Sequence, residues 1–236
     1  MFIRFGNMEN PEYNGIKEMA AYRLHDDVFR LAGPFLKEGM HVLDFGCGQG
    51  AFSQRLIDAG MVVDACDLDT VQIKAAVRNK ITLDLNKEVD PVYFPEKYDA
   101  VAALEIIEHL QNPWKFLTDC RKLLKDNGII LLSTPNISNF VSRMRFFMKG
   151  RLTAFEKPDL KHGHITPLSF IQIENLCDQL DLKILKKGYA GPVPIFHFYE
   201  FSVFTLFRNT FLPLFYPLMG GPKKGRALVY VLKKNS

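Results

Sequence analysis

From residue 40 to residue 133 the chain alternates short apolar runs with amphipathic stretches. The runs fall at residues 40–45, 61–66, 98–104 and 129–133, with a weaker one at 81–84. Between them, residues 52–59, 70–78 and 114–125 have helical spacing, the first stopped by Gly60 and the last started by Pro113. Apolar runs separated by helices predict βαβ units and a parallel sheet covered on both faces. Five strands in this arrangement make an α/β, doubly wound fold. Before Pro34, a stripe that includes Met19, Tyr22, Leu24, Val28 and Leu31 predicts a helical cover within residues 1–36. After the fifth strand, Thr166 and Pro167 read as N-cap and first position of a helix through Leu168, Ile171, Ile173, Leu176 and Leu180. Residues 182–186 and 227–232 supply two further strands. With no internal repeat, the 236 residues read as one domain with two insertions, a basic one at 139–164 and an aromatic one at 195–219.

Composition narrows the setting. The formal charge of +4 argues against an extended nucleic-acid surface. It is unevenly placed: residues 141–165 hold six Lys or Arg against two acids, an excess equal to that of the whole chain. Cys47, Cys66, Cys120 and Cys177 form no CxxC pair, which speaks against a zinc ribbon or a disulfide framework and for a reducing, cytoplasmic setting. The opening MFIRFGNMENPEYNG has no apolar core after its charge, so no secretory signal is expected.

The stretch VLDFGCGQG at 42–50 ends an apolar run in three glycines at alternate positions. A turn with only a structural role needs one glycine for its positive φ, whereas three in alternation give a ligand close access to the backbone. Gly46, Gly48 and Ala51 satisfy G-x-G-x-x-G/A, so a dinucleotide, as in an NAD(P)-dependent oxidoreductase, is one reading. Asp44 favours another. A carboxylate beside a helix N-terminus opposes a pyrophosphate and suits a ligand with an ammonium group, such as S-adenosylmethionine. Asp67, ending the second strand, can accept two ribose hydroxyls in either case.

VLDFGCGQG, the acid Asp67, Asp84 in ITLDLN, YDAVAALEIIEHLQNP and LLKDNGIILLSTPN resemble the successive motifs of class I S-adenosylmethionine-dependent methyltransferases. The chain is similar to the small-molecule branch that includes ubiquinone-biosynthesis O-methyltransferases, over about residues 35–190. The resemblance implies a Rossmann-like seven-stranded sheet of order 3-2-1-4-5-7-6 with strand 7 antiparallel, which agrees with the two terminal strands. It implies that Asp44, Gly46, Cys47, Gly48 and Gly50 cradle the methionine part of the cofactor. Asp67 and Leu68 then take the ribose and the adenine edge, Asp84 and Leu85 sit by the adenine amine, and Leu104 and Glu105 line the sulfonium side. S-adenosylhomocysteine is the expected product.

Methyl transfer to oxygen needs a positioned acceptor and, where its proton is tightly held, a base. His109 in EIIEHLQ and His162 and His164 in KHGHITP are the candidates, each with a plain alternative as a solvated or capping histidine. Glu105, Glu108 and His109 form ExxEH, which resembles the metal-binding pattern of small-RNA 2′-O-methyltransferases and some quinone-ring O-methyltransferases. His164 or His162 would complete a divalent-metal site. The same letters also start a helix in relatives without metal.

The insertions bear on the acceptor. SNFVSRMRFFMKGR interleaves Arg143, Arg145, Lys149 and Arg151 with aromatic and Met side chains. That mixture suits a lid over an anionic substrate, an amphipathic helix at a membrane surface, or a helix packed by its apolar stripe with charges outside. Residues 195–219 carry only Glu200 and Arg208 as formal charges, yet strands on either side that pair in one sheet rule out a single membrane pass. They read as two short aromatic helices that wall the acceptor pocket, pair in a homodimer, or dip into a bilayer interface. The expected acceptor is a small molecule or cell-envelope precursor, partly apolar and partly anionic, with the protein cytoplasmic and at most peripheral to a membrane. Nucleic acid is not expected, because the fourth strand is followed by LEII rather than a base-flipping motif. The rival from another class is a catalytically silent module that binds S-adenosylmethionine or a membrane.

Overall fold

The structure, a computed structural model, describes residues 11–94, 96–193, 214 and 216–235. Most of the aromatic insertion therefore lies outside the described residues.

A seven-stranded sheet runs through the centre. Its strands are β3 (His41–Phe45), β4 (Val62–Asp67), β5 (Asn79–Thr82), β6 (Tyr98–Leu104), β7 (Leu124–Pro135), β8 (Leu182–Ala190) and β9 (Ala227–Lys234), following the short hairpin β1 (Glu12–Tyr13) and β2 (Ile16–Lys17). The order is β5-β4-β3-β6-β7-β9-β8, with β9 antiparallel to both neighbours and the rest of the β5 to β7 block parallel. Counted along the sheet's own strands, this is the expected 3-2-1-4-5-7-6. Alternate residues feed two cores. Val42, Ala100 and Ala102 pack with Leu24 and Val28 of α1 (Leu24–Ala32) and with Phe52 and Leu56 of α2 (Ala51–Asp58). Leu43, Phe45 and Val101 face Phe116 and Leu117 of α3 (Pro113–Leu123) and, further along the sheet, Ile173 and Cys177 of α6 (Phe170–Gln179). Between β7 and α6 lie α4 (Phe140–Lys149) and α5 (Lys157–Lys161), so the basic insertion is two helices. Among the described residues no helix is long and apolar enough to cross a membrane.

Three local expectations are corrected. Residues 70–78 are not helical: a single 3-10 turn at Thr70–Gln72 gives way to extended chain, with Ile73 and Ala75 buried and Lys74 and Ala76 exposed. Lys74 N–H donates to Gln49 O (2.9 Å), Ala76 N–H to Gln54 Oε1 (3.1 Å) and Arg78 N–H to Val63 O (2.8 Å), donors that a helix would withdraw. The N-terminal cover is a hairpin followed by α1, and Met19 and Tyr22 are exposed instead of forming a helical stripe. Finally, α6 begins three residues late. Its cap is Ser169 in a capping box with Gln172, and Ile171 is exposed, because Thr166 is engaged elsewhere: its N–H bonds Glu108 O (2.9 Å) and its hydroxyl bonds Leu110 O (2.6 Å).

Candidate functional site

The sheet reverses its order of connection between β3 and β6, and a cleft opens outside the strand ends at that point, as expected for a doubly wound sheet. It has a volume of about 910 Å3. Gly46 and Gly48 after β3, Asp67 and Leu68 at the end of β4, and Glu105 and Ile106 after β6 form its wall, joined by residues 17–21 of the N-terminal strap and by Asn139, Val141 and Arg145 of the α4 region.

The turn after β3 is built for close approach. Gly46, Gly48 and Gly50 have φ of 66°, 56° and 87°. A Cβ on Gly46 would stand 2.7 Å from Ile106 Cδ1, and one on Gly50 2.7 Å from Ala75 Cβ. Gly46 and Cys47 donate their N–H groups to Cys66 O, at 2.8 and 3.3 Å, and Gly48 donates to Asp67 Oδ2 at 2.8 Å. The Asp67 carboxylate thus ties β4 to the turn while facing the cleft. Asp44 stands behind the turn, buried, accepting the Ser53 hydroxyl at 2.6 Å. Burial pushes its carboxyl up to about 7; the Ser53 bond opposes this and the Asp67 charge adds to it.

Of the residues expected at the cofactor, Gly46, Gly48, Asp67, Leu68 and Glu105 line the cleft. Cys47 is half-buried beside Gly48, its thiol 3.7 Å from Gly48 O, and Gly50 caps α2. Asp84 accepts Asn86 N–H at 3.0 Å, and Leu85 and Leu104 are buried in the two cores. Sequence reasoning missed Met19, Ala20, Gln72, Pro135 and Arg226, which line the same cleft. An exposed Met19 beside Gly48, its Sδ 3.1 Å from where a Cβ would stand, has no signature in an apolar stripe.

Deeper in, an acidic and histidine-rich corner takes shape. Glu105 holds φ of 52°, a left-handed conformation that costs a non-glycine residue about 1 kcal/mol or more. Its N–H and its Oε1 both meet the Ser133 hydroxyl, at 3.1 and 2.9 Å. Glu108, in the 3-10 turn Ile107–His109, is fully buried; Oε2 accepts the Thr134 hydroxyl at 3.1 Å, while Oε1 has no partner among the described residues. Ile165 and Thr166 donate N–H groups to Glu108 O at 3.0 and 2.9 Å, which brings His164 against His109 with ring centroids 4.6 Å apart. Ala154, itself at φ 65°, aims its carbonyl at His164 Nδ1, 2.8 Å away. Ligand atoms of Glu108, His109 and His164 all lie within 4.8 Å of one another. Glu105 is outside that triad, and His162 lines the cleft without joining it. Burial raises the Glu105 carboxyl, against its Ser133 bond, and raises Glu108 as well, with Glu105 adding to the effect and the Thr134 bond opposing it. Burial and the neighbouring His164 lower His109, so its ring is neutral at neutral pH.

A family profile described as "Methyltransferase domain" matches residues 16–187. Over 163 residues the chain is 28% identical to the ubiquinone biosynthesis O-methyltransferase of Actinobacillus pleuropneumoniae serotype 5b, covering 64% of this chain and 69% of that protein. It is 34% identical over 128 residues to the enzyme of the same description from Caulobacter vibrioides, covering 51% of this chain and 50% of that one. Among solved structures, a SAM-dependent methyltransferase from Archaeoglobus fulgidus superposes with a TM-score of 0.60 at 19% identity, covering 89% of this chain and 94% of that chain.

Proposed function

The chain belongs to the methyltransferase-domain family, and from that membership we propose that it transfers a methyl group from S-adenosylmethionine to an oxygen of a small-molecule or lipid-linked acceptor. The observation that carries the cofactor is the pairing of a bare glycine backbone with carboxyl groups at and behind the turn. Asp67 already helps to raise Asp44, so a pyrophosphate there would add to the repulsion, whereas a cationic ligand relieves it. The resemblance of the chain to O-methyltransferases supports oxygen as the acceptor atom.

S-adenosylmethionine, when bound, supplies an electrophilic methyl group on a sulfonium. Gly46 and Gly48 would give it bare backbone, and Asp67 would accept from its ribose hydroxyls. Asp44, Cys47 and Gly50 shape the turn from behind. Leu68 would border the adenine and Glu105 the sulfonium side, whereas Asp84, Leu85 and Leu104 stand outside the cleft lining. His109 is held neutral, and His164 donates its Nδ1–H to Ala154 O, which leaves Nε2 as its proton acceptor. Either ring can take the acceptor's hydroxyl proton.

The partnerless Oε1 of Glu108 favours a second reading of the same corner, since a buried carboxylate oxygen wants a donor or a cation. Glu108, His109 and His164 would hold a divalent ion, with Glu105 as the fourth group if it left Ser133. Such an ion lowers the pKa of a coordinated hydroxyl. Elemental analysis of the purified protein separates the readings. Bound metal that is lost in Glu108→Gln supports the ion, and full methyl transfer in the presence of chelator supports the histidine base.

Calorimetric titration with S-adenosylmethionine, S-adenosylhomocysteine and NAD tests the main reading. Both sulfur nucleosides should bind, NAD should not, and Asp67→Ala should weaken binding about a hundredfold through the loss of two charge-assisted hydrogen bonds. NAD binding in their place would make the chain an oxidoreductase. Binding without turnover on any acceptor would make it a silent module.

A further inference from the structure

The second half of α4 leaves the body of the protein. Phe140 and Ser142, at its start, are buried, and Val141 and Arg145 line the cleft. Phe146, Phe147 and Met148 follow, 56%, 85% and 44% exposed. A helix that merely packed its apolar stripe against the sheet would end in polar residues here; this one ends in three large apolar side chains facing water. Lys149 and Arg151 follow them, on either side of Gly150, whose φ of 61° stops the helix.

Phe140, Arg143 and Phe147 share one helical row. Phe140 stacks edge-on against Tyr216 with centroids 5.4 Å apart, and Arg143 Nη1 donates to Gly220 O at 2.8 Å. The 216–220 turn is therefore held beside the row that ends in Phe147, and that turn presents Leu218, 80% exposed. Lys223 reaches back over the Tyr216 ring, 4.6 Å from its centroid. Exposed apolar side chains thus stand on two neighbouring elements, with Lys149 and Arg151 following one and Lys223 held on the other.

We propose that the end of α4 and the 216–220 turn dock this protein on an anionic lipid bilayer. Large apolar side chains enter the headgroup boundary, and cations beside them meet lipid phosphates. The charge is complementary: of the four cationic residues at 140–151, Arg145 pairs with Glu156, while Lys149 and Arg151 at the helix end meet no acid among the described residues. A second copy of the chain would bring the same cations face to face, and a nucleic acid would leave Phe147 and Leu218 without an apolar partner. Docking in this orientation sets the cleft, through Val141 and Arg145 of the same helix, at the membrane interface, where a partly apolar acceptor is at hand. The surface is independent of the methyl-transfer reading, since its binding is read without turnover.

Co-sedimentation of the full chain with vesicles tests it. Vesicles of phosphatidylcholine with a quarter phosphatidylglycerol should retain the protein, and vesicles of phosphatidylcholine alone should not. Phe147→Ser should weaken binding about tenfold. Lys149→Ala with Arg151→Ala should weaken it about 25-fold, at roughly fivefold for each cation, and raised salt should do the same. Because all three side chains lie outside the cleft, S-adenosylhomocysteine binding by the variants reports that they are folded. Equal retention on both vesicle types, no retention on either, or retention that neither variant weakens would overturn the proposal. So would self-association abolished by Phe147→Ser, which would assign the surface to a second copy, or retention on nucleic acid in preference to vesicles.

Discussion

Asp44 is an acid kept short of partners: among the described residues it has one hydroxyl and no cation, and the Asp67 charge is nearby. With its carboxyl raised to about 7 from an ordinary 3.8, the folded state holds a proton that the unfolded chain has released. Its contribution to stability is complete below pH 3.8 and is lost as the pH rises through about 7. The difference in urea midpoint between Asp44→Asn and the parent should therefore grow steadily in the variant's favour across that window; a constant difference would mean that Asp44 is ionised throughout. Gly50 makes a simpler case. At φ 87° with Ala75 Cβ 2.7 Å from the missing methyl, Gly50→Ala should cost about 2 kcal/mol or more in chemical denaturation. Full stability in that variant would show that the turn relaxes, and the close-approach account of the glycines would fall with it.

The edge of the sheet is secured by charge as well as by ladder bonds. Asp64, fully buried on β4, receives Arg78 bidentately at 2.9 and 2.7 Å, the Tyr98 hydroxyl at 2.8 Å and Asn79 at 3.0 Å. Burial alone would raise its carboxyl, but these bonds together hold it below the ordinary value. The element gains stability above pH 3.8 that is lost as acid protonates Asp64. Arg78→Ala should cost about 2 kcal/mol, a figure discounted because 32% of the Arg78 side chain meets solvent, and should move the acid unfolding midpoint upward. An unchanged acid midpoint would show that Tyr98 and Asn79 suffice. Arg55 does similar work for the N-terminal strap: from α2 it meets Glu18 at 2.9 Å and Asp26 at 2.8 Å and lies over the Tyr13 ring, holding residues 17–21 across the cleft.

At the scale of the molecule, the cleft joins strap, sheet and α4 region, so a ligand there should stabilise all three as one unit. S-adenosylhomocysteine at a hundred times its dissociation constant should raise the melting temperature by about 5–10 °C, and NAD should leave it unchanged. A shift with NAD alone would reverse the choice of cofactor. The sequence by itself determined the central strands and the glycine turn, because apolar runs and positive-φ positions are local and survive in any context, while the strand order came from the resemblance of its motifs to those of class I methyltransferases. It misplaced residues 70–78 because Ile73, Ala75 and Val77 fit a period of two as well as a helix, and only the bonds to Gln49, Gln54 and Val63 choose between them. Asp44 was legible as an acid near the turn, but not as one buried behind it. Only the tertiary structure decided the composition of the cleft wall, to which Met19 and Arg226 both contribute from opposite ends of the chain. It alone set His164 against His109 through the Glu108 carbonyl and left Phe147 in water. Those outcomes depend on which distant backbone groups find each other, and no periodicity along a chain records that.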